Sequence, residues 1–182
     1  GGRMRTSEID GFLLDHGFHV LQTAYPETSK QIDYKSLGCK PFKPGARVVL
    51  VKDGKARMKL MADPWRDPLR GVLSSLNGFL SIKDLLKIGL MRLSITKGKI
   101  DQVFDGGDGT TLDFLQQRKL SDKAINRFFL PLFGGIFLES KLQTSERLFR
   151  FIFRMMAKGK MVLPKEGIHS VPLSIAKEIG QD

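Results

Sequence analysis

Gly1-Gly2-Arg3-Met4-Arg5-Thr6, followed by Asp15-His16-Gly17-Phe18-His19-Val20-Leu21, is the stretch on which the fold turns. Glycine lets a backbone approach a ligand where any Cβ would collide. Arg3, directly after two glycines, offers fork-shaped donors suited to phosphate. Between the two motifs, short apolar runs flank Asp10-Gly11, the dipeptide of a tight β-hairpin. A phosphate-binding segment of this kind normally follows a glycine-rich βαβ turn, and the sequence has no room for one before Gly1. The expectation is a piece of a larger dinucleotide-binding protein, beginning just after that turn.

Working outward, Arg47-Val48-Val49-Leu50-Val51 and Ala56-Arg57-Met58-Lys59-Leu60-Met61 flank Lys52-Asp53-Gly54-Lys55, which predicts a second hairpin. Between the hairpins, Pro26 to Tyr34 opens as a helix, since proline is tolerated in a first turn. The stretch from Lys40 to Gly45 is a loop by composition. After Asp63-Pro64-Trp65 the period becomes helical: Leu69, Val72, Leu73 and Leu76 first, then Leu85, Leu86, Ile88, Gly89 and Leu93 behind a Ser81 cap. Asp105-Gly106-Gly107-Asp108-Gly109 is a connector, lacking both a GK[ST] ending and EF-hand ligand spacing. Thr111 is expected to cap a short helix with Leu112, Phe114 and Leu115. Ser121-Asp122 caps the next, with Ile125, Phe128 and Phe129 on one face and a stop near Pro131. Ser145 caps a third, carrying Leu148, Phe149, Ile152, Phe153 and Met156 and ending near Gly159. Met161-Val162-Leu163 is a short strand, Pro164 to Gly167 a turn, and Ser170 opens a final helix. No internal repeat is present.

Composition narrows the classes. The chain has 182 residues, 41% apolar and 27% charged, ordinary globular values. Its net charge is +11. Nucleic-acid binding would gather such charge on one face with stacking aromatics. Here lysines and arginines are scattered and the phenylalanines follow core-like helical patterns, which argues against nucleic acid. An anionic membrane surface would attract the same charge, so peripheral membrane contact stays open. The apolar run Phe128 to Leu138 is too short to span a bilayer, which takes about 20 residues. Cys39 is the only cysteine, which excludes a disulfide framework and suits a reducing compartment. Nucleophile triads, zincin helices and Cys-His metal spacings are absent, as in an enzyme whose chemistry belongs to a cofactor.

Both opening motifs resemble the segment after the first βαβ unit in FAD-dependent amine-oxidase-type flavoproteins. That superfamily includes monoamine oxidases, protoporphyrinogen oxidase and phytoene-desaturase-like enzymes. Leu21-Gln22-Thr23-Ala24-Tyr25-Pro26-Glu27, Phe128 to Leu138 and Leu163-Pro164-Lys165-Glu166-Gly167-Ile168 are similar to one NAD(P)/FAD-dependent oxidoreductase branch, in the same order. The resemblance covers essentially the whole chain. It implies an α+β fold: a small β-rich edge of a Rossmann-like FAD-binding domain, then a largely helical substrate-domain insertion. Residues 1–34 would be the FAD-domain edge, 35–162 the substrate domain and 163–182 the return to the FAD domain.

The same resemblance implies the site. Gly1, Gly2 and Arg3 would lie along the FAD pyrophosphate, and Gly17, Phe18, His19 and Val20 beside the flavin ring. His19 is the candidate for a side chain facing flavin or substrate, and His16 is expected on the outer face. Gly134-Gly135, between Phe133 and Ile136-Phe137, reads either as packed core or as the wall of an apolar cavity where helix meets strand. Pro164-Lys165-Glu166-Gly167 resembles a Pro-x-Gly-Gly return turn, but Glu166 replaces the first glycine, which leaves a plain turn. The implied activity is hydride removal from a small, apolar organic substrate, with oxygen, a quinone or another acceptor reoxidising the flavin. The alternative is a non-catalytic basic helical module that binds a membrane surface or a protein partner. Substrate identity and oligomeric state are not legible.

Overall fold

The computed structural model describes residues 2–17, 19–105 and 107–180. In chain order the strands and helices are β1 (Thr6–Ile9), β2 (Phe12–Asp15), β3 (Leu21–Gln22), α1 (Pro26–Gln31), β4 (Lys40–Pro41), β5 (Ala46–Lys52), β6 (Lys55–Met61), α2 (Pro68–Ser75), α3 (Ile82–Thr96), α4 (Thr111–Gln117), α5 (Asp122–Ala124), α6 (Leu130–Phe137), α7 (Glu146–Lys158), β7 (Met161–Leu163) and α8 (Ser170–Glu178). The fold class is α+β. Both expected hairpins form, each turning on an Asp-Gly pair with positive φ at both residues: +51° and +79° at Asp10 and Gly11, +50° and +70° at Asp53 and Gly54. That backbone matches the twist of the flanking strands. Among the described residues, no helix is long and apolar enough to cross a membrane.

The chain divides into two compact units, residues 1–42 with 155–182, and residues 43–154. In the first, β7 returns late in the sequence and pairs antiparallel with both β3 and β4, Leu21 opposite Val162 and Lys40 opposite Leu163. Leu21, Val162, Ile168 and Val171 form its buried core, with Met4, Ile32, Leu37 and Ile175 packed against them. The Thr23 N–H donates to the Lys160 carbonyl at 3.0 Å, and the Lys160 N–H to Thr23 Oγ1 at 2.8 Å. The Leu21–Glu27 stretch is thereby laid against the return segment.

The second unit holds the β5–β6 hairpin and helices from α2 to most of α7. Its centre is aromatic. Phe129, Phe133 and Phe149 are wholly buried, with the Phe133 and Phe149 ring centres 4.6 Å apart. Phe114 and Phe153 each lie 5.6 Å from Phe149. Asp84, 2% exposed, joins two helix starts. Ser81 Oγ donates to its carboxylate at 2.6 Å, and the Ser121 N–H and Oγ donate at 3.0 and 2.8 Å. The same serines cap α3 and α5, accepting from the Asp84 and Ala124 amides. Burial pushes the Asp84 pKa up, but these hydrogen bonds to the anion outweigh it and hold the group below the usual aspartate range.

Four local expectations are corrected. Pro131 does not stop its helix: α5 runs through a π-helical turn, Ile125–Phe129, into α6, with Pro131 in the first turn of α6. The Leu130 N–H there donates to the Ile125 carbonyl, five residues back. A widened turn relieves the clash a proline ring makes with the preceding turn of an α-helix. Gly134 and Gly135 therefore lie inside a helix rather than at a helix–strand junction, and Phe133 beside them is core. Thr110, not Thr111, caps α4, accepting the Asp113 N–H at 3.0 Å. Thr111 is buried and donates its hydroxyl to the Thr144 carbonyl at 2.7 Å. The periodic stripe Leu69, Val72, Leu73 and Leu76 does form α2, but all four side chains are exposed. The helix packs instead through Gly71, where a Cβ would stand 2.4 Å from Pro64 Cα.

Candidate functional site

The opening motifs sit at the two feet of the β1–β2 hairpin. Gly2 has φ +62° with open space where a Cβ would project, so its backbone is bare on that side. Arg3 is exposed, and no hydrogen bond or ion pair holds it among the described residues. The chain then enters β1, and the hairpin closes where the His16 N–H donates to the Arg5 carbonyl at 2.8 Å. Gly1 and Phe18, both expected beside the cofactor, lie outside the described residues.

Thr6 and Asp15 face each other at the open end of the hairpin. Thr6 Oγ1 donates to Asp15 Oδ1 at 2.6 Å. Two consecutive backbone amides from the return segment complete the arrangement: Ile168 N–H donates to Asp15 Oδ1 at 3.0 Å and His169 N–H to Thr6 Oγ1 at 3.1 Å. These amides immediately precede α8, where the first N–H groups of a helix lack internal partners. Gly167 is required here. Its φ is +82°, and a Cβ would come within 2.5 Å of Thr6 and 3.0 Å of Asp15. The hairpin and the return turn, read separately in the sequence, are thus one structure.

Gly17 lies next to this node, and His19 and Val20 lead on to β3. His19 is half-buried and its Nε2 lies 3.0 Å from the His16 carbonyl, so the ring braces its own loop. His16 is exposed, with Nε2 2.7 Å from Ser7 Oγ. Val20 is half-buried where the chain enters β3. Three buried polar atoms of this unit have no hydrogen-bond partner among the described residues: Gln22 Oε1, Tyr34 Oη and His169 Nδ1. Such orphans cost about 1–3 kcal/mol each unless an outside group meets them. The Pro164 turn, with Lys40, Phe42, Leu163 and Lys165, borders an open cavity of about 330 Å³.

Sequence reasoning placed Gly2, Arg3, Gly17, His19 and Val20 in one region of the fold. It missed Thr6, Gln22 and His169. Thr6 and His169 contact partners across 163 residues of sequence, and no local pattern signals that. A family model, flavin containing amine oxidoreductase, matches residues 1–182. No curated protein matches the chain.

Proposed function

The chain belongs to the flavin-containing amine oxidoreductase family, a flavin-dependent oxidoreductase family with FAD as cofactor, and from that premise we propose how its parts serve the reaction. The unit built from both ends of the sequence carries the FAD-side segment. Its Gly2-Arg3 backbone and guanidinium hold the pyrophosphate, and its Gly17–Val20 loop borders the flavin ring. The unit of residues 43–154 is the substrate domain. FAD supplies the hydride acceptor.

The residues present fit such a group. The observation that carries the reading is an unengaged Arg3 beside the bare Gly2 backbone, on a hairpin whose open end is locked by Thr6 and Asp15. A guanidinium and a bare backbone are suited to phosphate. Buried atoms without partners, Gln22 Oε1 and His169 Nδ1, lie in the same unit. Asp15 and Thr6 are assigned as positioning residues, which fix the hairpin's open end against the return segment. The exposed apolar side chains of α2 and α3, among them Leu69, Leu73, Leu76, Leu86 and Leu90, support an apolar organic substrate.

Purification of the protein at its natural length, with visible spectra after desalting and anaerobic reduction, tests the assignment. Gly17→Val is expected to lower flavin occupancy or slow its reduction, because φ at Gly17 is +108° and a β-branched residue resists that backbone. His19→Ala is expected to change turnover with flavin content intact. Native occupancy, reduction rate and turnover in both variants, with the fold preserved, would remove the loop from the site.

A further inference from the structure

Cationic side chains converge on one cavity inside the unit of residues 43–154. It measures about 200 Å³ and is lined by Lys97, Gln102, Arg118, Arg150 and Arg154 among others. Arg154, 3% exposed, builds one wall. Its Nη1 donates to the Ile95 and Lys97 carbonyls at 2.8 and 2.7 Å, and its Nη2 to the Gly98 carbonyl at 2.5 Å. These carbonyls lie at and just past the C-terminus of α3, the negative end of the helix, so this arginine is structurally committed.

Arg118 and Arg150 are not so committed. Arg118 lies over the Phe114 ring at 4.3 Å, and its buried Nε has no partner among the described residues. Arg150 makes a long ion pair with Glu146 at 3.8 Å and a marginal contact with the Gln102 carbonyl at 3.4 Å. Burial, and then the like charge of Arg150, lower the Arg118 pKa, while Glu146 opposes them. Arg118, Arg150 and Arg154 thus share a small cavity with Glu146 as the nearby carboxylate. Charge taken out of water without a counter-charge is costly, and a guanidinium fork is shaped for two oxygens of one anion.

We propose that this cavity binds a small oxyanion, the phosphate or carboxylate group of a small molecule, through Arg118 and Arg150. The inference is independent of the flavin site, which lies on the other unit. Isothermal titration of the full chain with inorganic phosphate, and separately with acetate, in low-chloride buffer tests it. The native protein is expected to bind one of the two saturably, with Kd below about 1 mM. Tighter phosphate binding identifies a phosphate-bearing ligand, and tighter acetate binding a carboxylate. Arg118→Gln and Arg150→Gln should each weaken binding at least tenfold, while Arg57→Gln, on an exposed position of β6, leaves it unchanged. Where either Gln variant fails to fold, Arg118→Lys and Arg150→Lys keep the charge, lose the fork and should still weaken binding several-fold. No saturable binding of either anion, native affinity in the Arg118 and Arg150 variants, or loss of binding in Arg57→Gln would overturn the proposal.

Discussion

The two units are held together by different physics. Residues 43–154 fold around interlocked phenylalanines, with Phe129, Phe133 and Phe149 wholly removed from water. The other unit has strands of two to four residues and a small aliphatic core. Its parts are registered instead by a polar node, Thr6 and Asp15 receiving the amides of Ile168 and His169. An apolar core rewards burial with little demand on direction, whereas hydrogen bonds specify distance and angle. A segment proposed to present its backbone to a cofactor would gain from the second kind of restraint.

The largest effect is expected at Phe149. Phe149→Ala is expected to cost about 3–5 kcal/mol, because the removed ring leaves a cavity among its aromatic neighbours. Denaturant titration reads the loss, and a cost under about 1 kcal/mol would mean that the phenylalanines do not hold their unit. Asp84→Ala comes next, at about 2–4 kcal/mol, since it strips the Ser121 amide and two hydroxyls of an anionic partner. The sign with pH follows from the depressed pKa of Asp84 in the folded state. Its contribution is fully present above the unfolded aspartate value of about 3.9 and is lost as pH falls through the lower folded value. The native protein should therefore lose its advantage over Asp84→Ala progressively in acid below about pH 4. Chemical denaturation from pH 3 to 7 checks this, and a constant difference would contradict it.

Asp15→Ala probes the polar node of the other unit. It is expected to cost only about 1–3 kcal/mol, because one buried amide and the Thr6 hydroxyl lose an acceptor while the small core persists. Amide exchange should speed up at Ile168 more than at Phe149. Equal acceleration in both units would show that the node does not act locally.

Much of this architecture was legible because its causes are local. Asp10-Gly11 and Asp53-Gly54 dictate their turns within four residues, and Ser81 and Ser121 cap from within three. Pro131 misled because a proline reads as a stop, and only the widened turn before it lets the helix continue. The exposed stripe of α2 carries the right period, but periodicity does not reveal which face a glycine such as Gly71 will claim for packing. Gly2, Arg3, Gly17, His19 and Val20 are candidates through resemblance alone. Their support by Asp15 and Ile168 spans 153 residues and leaves no pattern in the chain. Arg150 and Arg154 stand four apart on α7, but Arg118 ends α4 more than thirty residues earlier, so their common cavity emerges only in three dimensions.

We propose that the polar-registered unit presents its opening segment to FAD. Fluorescence titration of the apoprotein with FAD, for the native protein and Arg3→Ala at natural length, tests it most directly. Loss of a charge-assisted contact to phosphate is worth about 1.5–3 kcal/mol, so FAD affinity should fall roughly ten- to hundred-fold with the melting temperature of the apoprotein unchanged. Equal FAD affinity in the two proteins would contradict the account.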